Sequence, residues 1–112
     1  MEIKYSKNNG VSIVSVNGKM DTYAAEDFES GMLKILELGD SRIIIDFSNV
    51  DFISSAGLRV LIMAAKKLKA VNGVLYLASF KSYLKEMLDT VGFTSIFNIF
   101  PSVDEAKKNL PE

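Results

Sequence analysis

The chain has 112 residues, 48% of them apolar, which is enough material for the core of one compact domain. Thirteen basic against fourteen acidic residues leave a net charge of -1, which offers no electrostatic attraction to nucleic acid or to an anionic membrane. The sequence contains no cysteine and no histidine, which excludes disulfides, thiolate metal sites and the catalytic relays that need either residue.

The first two predicted strands form a β-hairpin. Apolar and polar residues alternate in residues 2–8 and 11–18, and a short polar NNG segment separates them. From Thr22 or Tyr23 to Leu38, apolar residues recur every three or four positions. This spacing predicts an amphipathic helix, which the following Gly-Asp pair ends.

A buried central strand opens the second half of the sequence. The segment RIIIDF, residues 42–47, is almost continuously apolar, as is typical of a strand covered on both faces. A helix with one apolar stripe follows and ends near Asn72 and Gly73. Beyond it we predict a strand at 74–79, a helix at 81–92, a short strand or extended segment at 95–100, and a last helix at 102–110 capped by Ser102.

Strands thus alternate with helices along the chain. This order predicts an α/β fold with one small mixed sheet of four to five strands, right-handed crossovers and about four helices packed on it. We find no internal repeat and no linker, so we expect residues 1–112 to form a single domain. The sequence shows no secretory signal and no apolar run of bilayer-spanning length, which favours a cytoplasmic location.

The corner between the central strand and its following helix carries two adjacent serines, Ser54 and Ser55. Either hydroxyl can cap the helix by accepting a hydrogen bond from an unpaired backbone N–H. Capping uses one serine, and a phosphate on the other would be stabilised by the free N–H groups and the positive dipole end of the helix. Gly57 keeps the backbone approachable or permits close packing. The residues alone leave open whether this corner holds only a cap or also a modified or ligand-binding hydroxyl.

A second corner precedes the first helix, where Asp21 is the expected N-cap. Because helix N-termini gather at one end of an α/β sheet, Asp21 and Ser55 could face one crevice. Exposed apolar side chains around it would form a docking patch, although such residues more often complete the core. The candidates for this patch are Met20, Tyr23, Phe52 and Ile53. Strand alternation should send one of the last two inward.

Other kinds of site have weaker support. Asp46 ends the central strand, but the acidic pair that a phosphoaspartate receiver needs after its first strand is absent, and a carboxylate that accepts hydrogen bonds in the turn DFSNV is favoured. A nucleotide-binding domain would need a Gly-rich phosphate loop, which the chain lacks. The lysines of the second helix are assigned to a solvated surface.

Three segments, VNGKMDTYAAEDF, RIIIDFSNVDFISSAGLRVLI and YLKEMLDTVGFTSIFNIFPSVDEA, together resemble the STAS domain family, in particular the stand-alone anti-sigma factor antagonists of bacteria. The resemblance implies a switch protein and not an enzyme. The unmodified antagonist binds an anti-sigma factor that is also a serine kinase, and phosphorylation of a corner serine abolishes this binding. The resemblance further implies a metal-dependent PP2C-type phosphatase as a second partner, no cofactor besides the ATP of the kinase, and a monomer when free. Related domains serve other partner-switching outputs, which remain an alternative.

The family motif places the phosphorylated residue at Ser55, with Ser54 as the alternative. Members of the best-known type read Asp-Ser-Ser-Gly-Leu where this chain reads SSAGL, so Ser54 replaces the aspartate and Ala56 replaces the second hydroxyl. Arg59 lies one helical turn beyond Ser55, within reach of a phosphate. The partner-binding residues that we predict are Met20, Asp21, Tyr23, Phe52, Ile53, Ser54, Ala56, Gly57 and Arg59. No metal site is predicted.

Overall fold

The structure is a computed structural model that describes residues 1–111. Its strands and helices follow one another in the predicted order. They are β1 (Glu2–Asn8), β2 (Val11–Met20), α1 (Thr22–Glu37), β3 (Arg42–Ile53), α2 (Ser55–Ala70), β4 (Val74–Ala78), α3 (Ser82–Thr90), a 3-10 turn (Phe93–Ser95), β5 (Asn98–Phe100) and α4 (Val103–Lys108). The strands form one mixed sheet in the order β1-β2-β3-β4-β5, in which only the β1–β2 pair is antiparallel. This arrangement confirms the predicted α/β fold.

The β1–β2 hairpin closes through a two-residue turn. Asn9 and Gly10 both have positive φ angles, 53° and 78°. Asn-Gly is the pair that tolerates this backbone best, and such turns match the twist of the two strands that they join. The predicted hairpin is therefore confirmed, with β1 at the edge of the sheet.

Both faces of the central strand β3 are covered, as its apolar run predicts. Ile43 and Ile45 point into the main core, which Phe28 of α1 and Leu61 of α2 complete. Leu84 and Leu88 of α3 close the same core. On the opposite face Ile44 belongs to a smaller cluster with Tyr76, Ala78 and Ala106 of α4. Among the described residues, no helix is long and apolar enough to cross a membrane.

Strand β3 is longer than we predicted, because it continues through DFSNV to Ile53. At two places β3 has one residue more than the paired segment of β2. The first extra residue lies between Asp46 and Asn49, and the second lies between Val50 and Phe52. These β-bulges let exposed polar residues stay in the strand while Val50 and Ile53 still reach the core. The predicted turn at DFSNV is therefore wrong, although the Asp46 carboxylate does accept a hydrogen bond from the Ser48 N–H at 2.9 Å.

Asp40, which we predicted only to end the first helix, is a buried carboxylate with several hydrogen bonds. Its side chain is 2% exposed and accepts hydrogen bonds from Lys7 Nζ and Ser12 Oγ, both at 2.7 Å, and from the Tyr5 hydroxyl. Burial alone would raise the pKa of Asp40, but the hydrogen bonds and the Lys7 charge outweigh it and hold that pKa below its usual value. The contact fastens the end of α1 to the hairpin.

We expect Asp40→Asn to lower the free energy of unfolding by about 1–3 kcal/mol at neutral pH, because buried donors lose a charged acceptor. Since the pKa of this carboxyl is lower in the folded chain, the stabilisation is complete above its unfolded pKa of about 4 and is lost as the pH falls through the folded value. Urea unfolding of both proteins between about pH 7 and pH 2 tests this. The difference in the free energy of unfolding between wild type and Asp40→Asn should shrink in acid. An equal difference at the highest and the lowest pH would contradict this prediction. Exposed Asp104→Asn is the control.

Candidate functional site

The two corners that we predicted from the sequence are neighbours, because β2 and β3 are parallel and end side by side. Met20 and Ile53 are register partners at these ends. The N–H of Ser54 donates to the carbonyl oxygen of Met20 with an N···O distance of 2.8 Å. Asp21 and Ser55 therefore follow adjacent strand ends at one edge of the sheet, as expected for helix N-termini in an α/β fold.

Each corner has a capped helix. The Asp21 carboxylate accepts a hydrogen bond from the Ala24 N–H at 2.8 Å, and Ser54 Oγ accepts one from the Gly57 N–H at 3.2 Å. Ser54 has the extended backbone typical of an N-cap, with φ -79° and ψ 167°. Such caps contribute about 1 kcal/mol each. The structure thus assigns the capping role, which the sequence left open, to Ser54.

Ser55 is the first residue of α2 and lies on the surface. Within residues 1–111 its hydroxyl makes no hydrogen bond, and the backbone N–H groups of Ser55 and Ala56 have no partner either. The hydroxyl is therefore accessible and not needed for the cap. A phosphate on it would lie against two free donors and the positive end of the helix dipole.

Three predicted partner-binding residues are instead buried. Met20 and Ile53 are 0% and 3% exposed, and Gly57 is also buried. A Cβ atom on Gly57 would lie 2.5 Å from Met20 Sδ and 3.1 Å from Ile53 Cγ2, so the glycine lets the first turn of α2 pack on these side chains. The prediction that they offer surface to a partner is wrong, because the apolar residues at the two strand ends complete the core.

The remaining predicted residues are at least partly exposed and lie at or within one helical turn of the same two corners. Tyr23 is 83% exposed and Phe52 is 46% exposed, in agreement with the alternation that turns Ile53 inward. Exposed aromatic side chains beside polar groups are typical of protein interfaces. We call this set the corner surface; it consists of Asp21, Tyr23, Phe52, Ser54, Ser55, Ala56 and Arg59.

Lys81 and Tyr83, which the sequence analysis missed, lie beside this surface. Both contact Asp51, the extra residue of the second bulge: Lys81 Nζ pairs with its carboxylate, and the Tyr83 hydroxyl donates to its carbonyl oxygen at 3.1 Å. The Lys81 hydrogen bond and charge lower the pKa of Asp51. The contact ties the start of α3 to the corner. No sequence spacing reveals it, although the adjacency of β3 and β4 brings the start of α3 near.

Arg59 borders a groove between α1 and α2. The groove has a volume of about 270 Å³ and contains Glu26 and Glu29 from α1 as well as Ala56 from α2. Arg59 makes no ion pair within 4.0 Å in the described part of the chain. Arg59 lies one helical turn beyond Ser55, a spacing at which its guanidinium can reach an anion on that residue. Residues 1–111 hold no group of three or more acidic, histidine or cysteine side chains able to bind a metal ion.

Comparison with known proteins gives one consistent result. The family model described as STAS domain matches residues 2–106. The curated relative BtrV of Bordetella bronchiseptica, provisionally named an anti-sigma factor antagonist, is 34% identical over 95% of this chain and 91% of its own length.

Solved structures with the same fold are more distant in sequence. A crystal structure of a provisionally named anti-sigma factor antagonist from Thermotoga maritima has a TM-score of 0.88 at 22% identity, covering 95% of this chain and 92% of that one. Phosphorylated SpoIIAA of Bacillus has a TM-score of 0.74 at 17% identity, covering 98% and 100%. At these identities the likeness establishes the fold.

Proposed function

Because the chain belongs to the STAS domain family, we propose that it is an anti-sigma factor antagonist that changes partners when one serine is phosphorylated. The unmodified protein binds an anti-sigma factor that is also a serine kinase, and the sigma factor is released. Phosphorylation of Ser55 breaks the complex, and a metal-dependent PP2C-type phosphatase restores it. The names of BtrV and of the Thermotoga maritima protein support the antagonist role, and the phosphorylated SpoIIAA structure supports the switch.

The observation that carries this proposal is that the two serines differ in structure: Ser54 caps α2, whereas Ser55 is exposed and does not. Ser54 Oγ already accepts the Gly57 N–H, so this hydroxyl is engaged in the cap of α2. The Ser55 hydroxyl is exposed and has no hydrogen bond within residues 1–111. A kinase can therefore reach Ser55 without disturbing the fold.

The switch has a direct electrostatic cause. A phosphate adds about two negative charges at the middle of the corner surface. Burying them against a partner would cost desolvation energy, and the nearby Asp21 carboxylate adds to the negative field. In the free protein the N–H groups of Ser55 and Ala56, together with Arg59, stabilise the modified form. Phosphorylation thus favours the separated state.

Alanine variants at the two serines test the assignment. After incubation with ATP and the anti-sigma serine kinase encoded in the same genome, intact-mass analysis should show one added phosphate on wild type and on Ser54→Ala, and none on Ser55→Ala. Ser54→Ala should lose only about 1 kcal/mol of stability with its cap. Phosphorylation of Ser55→Ala to the wild-type level would contradict the assignment. A phosphate labile to hydroxylamine would indicate a carboxylate acceptor such as Asp46.

A further inference from the structure

Helix α2 has an unusual charge distribution for a chain that is slightly acidic overall. Its sixteen residues include no Asp or Glu but carry Arg59, Lys66, Lys67 and Lys69. None of these four cations makes an ion pair within 4.0 Å in residues 1–111. Solvation explains why lysines are tolerated on this surface, but it does not explain why carboxylates are absent from it.

Apolar surface lies between these cations. A depression of about 440 Å³ is bordered by Ile62 and Met63 together with Arg59 and Lys66. A second one of about 240 Å³ adjoins it, where Ile62 and Lys66 meet the segment after α3. Ile96 in that segment is 63% exposed. We call this continuous surface the α2 groove; it consists of Arg59, Ile62, Met63, Ala65, Lys66, Lys67, Ile96 and Phe97.

The positively charged surface formed by the Arg and Lys side chains of α2 is only one helix wide. On one side α1 presents Glu26 and Glu29 near Arg59, and Glu37 near Lys67. The next helix on the same face of the sheet, α3, contains the exposed Glu86 and also Asp89, which pairs with Lys85 at 3.2 Å. A broad polyanion such as nucleic acid or an anionic membrane would be repelled by these flanking carboxylates. A single acidic helix of a partner protein is narrow enough to lie on α2 without contacting the carboxylates of α1 and α3.

We propose that the α2 groove binds one acidic amphipathic helix of the anti-sigma factor kinase. Apolar residues of that helix lie on Ile62, Met63 and Ile96, and its carboxylates face Arg59, Lys66 and Lys67. From Arg59 to Lys66 the α2 axis rises about 10 Å, which two turns of a bound helix match. The groove begins at Arg59, one helical turn from Ser55, so the same contact places the kinase near its acceptor hydroxyl. This inference rests on the proposed function.

The test is a titration of the kinase, without ATP, against wild type and the double variant Lys66→Glu/Lys67→Glu. We expect the variant to bind at least about tenfold more weakly and to lose the salt dependence of the wild-type affinity. Lys107→Glu/Lys108→Glu on α4, across the sheet, is the charge-matched control and should stay within about twofold of wild type. Ile96→Ala, which removes exposed apolar surface only, should weaken binding about fivefold.

The outcomes separate this inference from the function on which it rests. If wild type binds the kinase and the α2 variant binds equally well, the groove is not a contact while the antagonist role stands. If wild type does not bind the kinase, both proposals fail. If wild type binds phosphatidylglycerol vesicles and Lys66→Glu/Lys67→Glu abolishes that binding, a membrane and not a helix occupies the groove.

Discussion

Ser55→Asp is expected to bind the anti-sigma factor kinase at least about 30-fold more weakly than wild type. A carboxylate buried at an interface without a partner typically costs about 2–5 kcal/mol of binding free energy. The fold should be unaffected, because the side chain is exposed and a negative charge in the first turn of a helix is favourable. Ser55→Ala should keep the wild-type affinity. Calorimetric titration of the kinase measures both values.

The matched control is Ser54→Asp, which adds the same charge one residue earlier. Aspartate is as good an N-cap as serine, so the α2 cap should persist. Members of the best-known type in the family carry aspartate at this position, which implies that a charge here is compatible with partner binding. We expect an affinity within about threefold of wild type. Equal weakening by Ser54→Asp and Ser55→Asp would mean that the general charge of the corner, and not Ser55, controls binding.

Phe47→Ala should have the largest effect on stability, a loss of about 3–5 kcal/mol in the free energy of unfolding. Phe47 is fully buried in β3 and stacks on Phe80, with ring centroids 4.4 Å apart. This contact holds the segment before α3 against β3, so the cavity left by alanine would loosen both elements. Urea unfolding monitored by circular dichroism gives the value.

Phe52→Ala is the paired variant in the same strand. Because Phe52 is 46% exposed, we expect a stability loss below about 1 kcal/mol but clearly weaker binding to the kinase. The two phenylalanines should thus separate folding from binding. If Phe52→Ala destabilised the chain as much as Phe47→Ala, the exposure of Phe52 would be wrong and its place on the corner surface would fail with it.

The parts of the fold that the sequence predicted were those with local signals. The Asn-Gly turn at residues 9–10 and the caps at Asp21 and Ser102 all appear where the sequence predicts them. The length of β3 could not be predicted, because a bulged strand and a turn share the polar composition of DFSN. The predicted segment 95–100 shortened to β5 at 98–100, since a 3-10 turn ends at Ser95 and a bend at Ile96 and Phe97 precedes the strand.

For the candidate site too, the sequence predicted the features with local signals and not those that depend on the three-dimensional structure. The sequence located both serines, but which of them caps α2 depends on where the backbone leaves the extended conformation, a difference of one residue. Met20 and Ile53 were misassigned because an apolar residue at a strand end can face either the core or solvent. The contact of Lys81 with Asp51 joins residues thirty positions apart, and only the arrangement of the sheet brings them together.

The most direct test of the proposed switch is one paired titration of the anti-sigma factor kinase, with unmodified protein and with protein phosphorylated at Ser55. The switch predicts that the unmodified protein binds and that the phosphorylated protein binds at least about 30-fold more weakly, with the affinity restored after phosphatase treatment. Equal affinities for the two forms would contradict it.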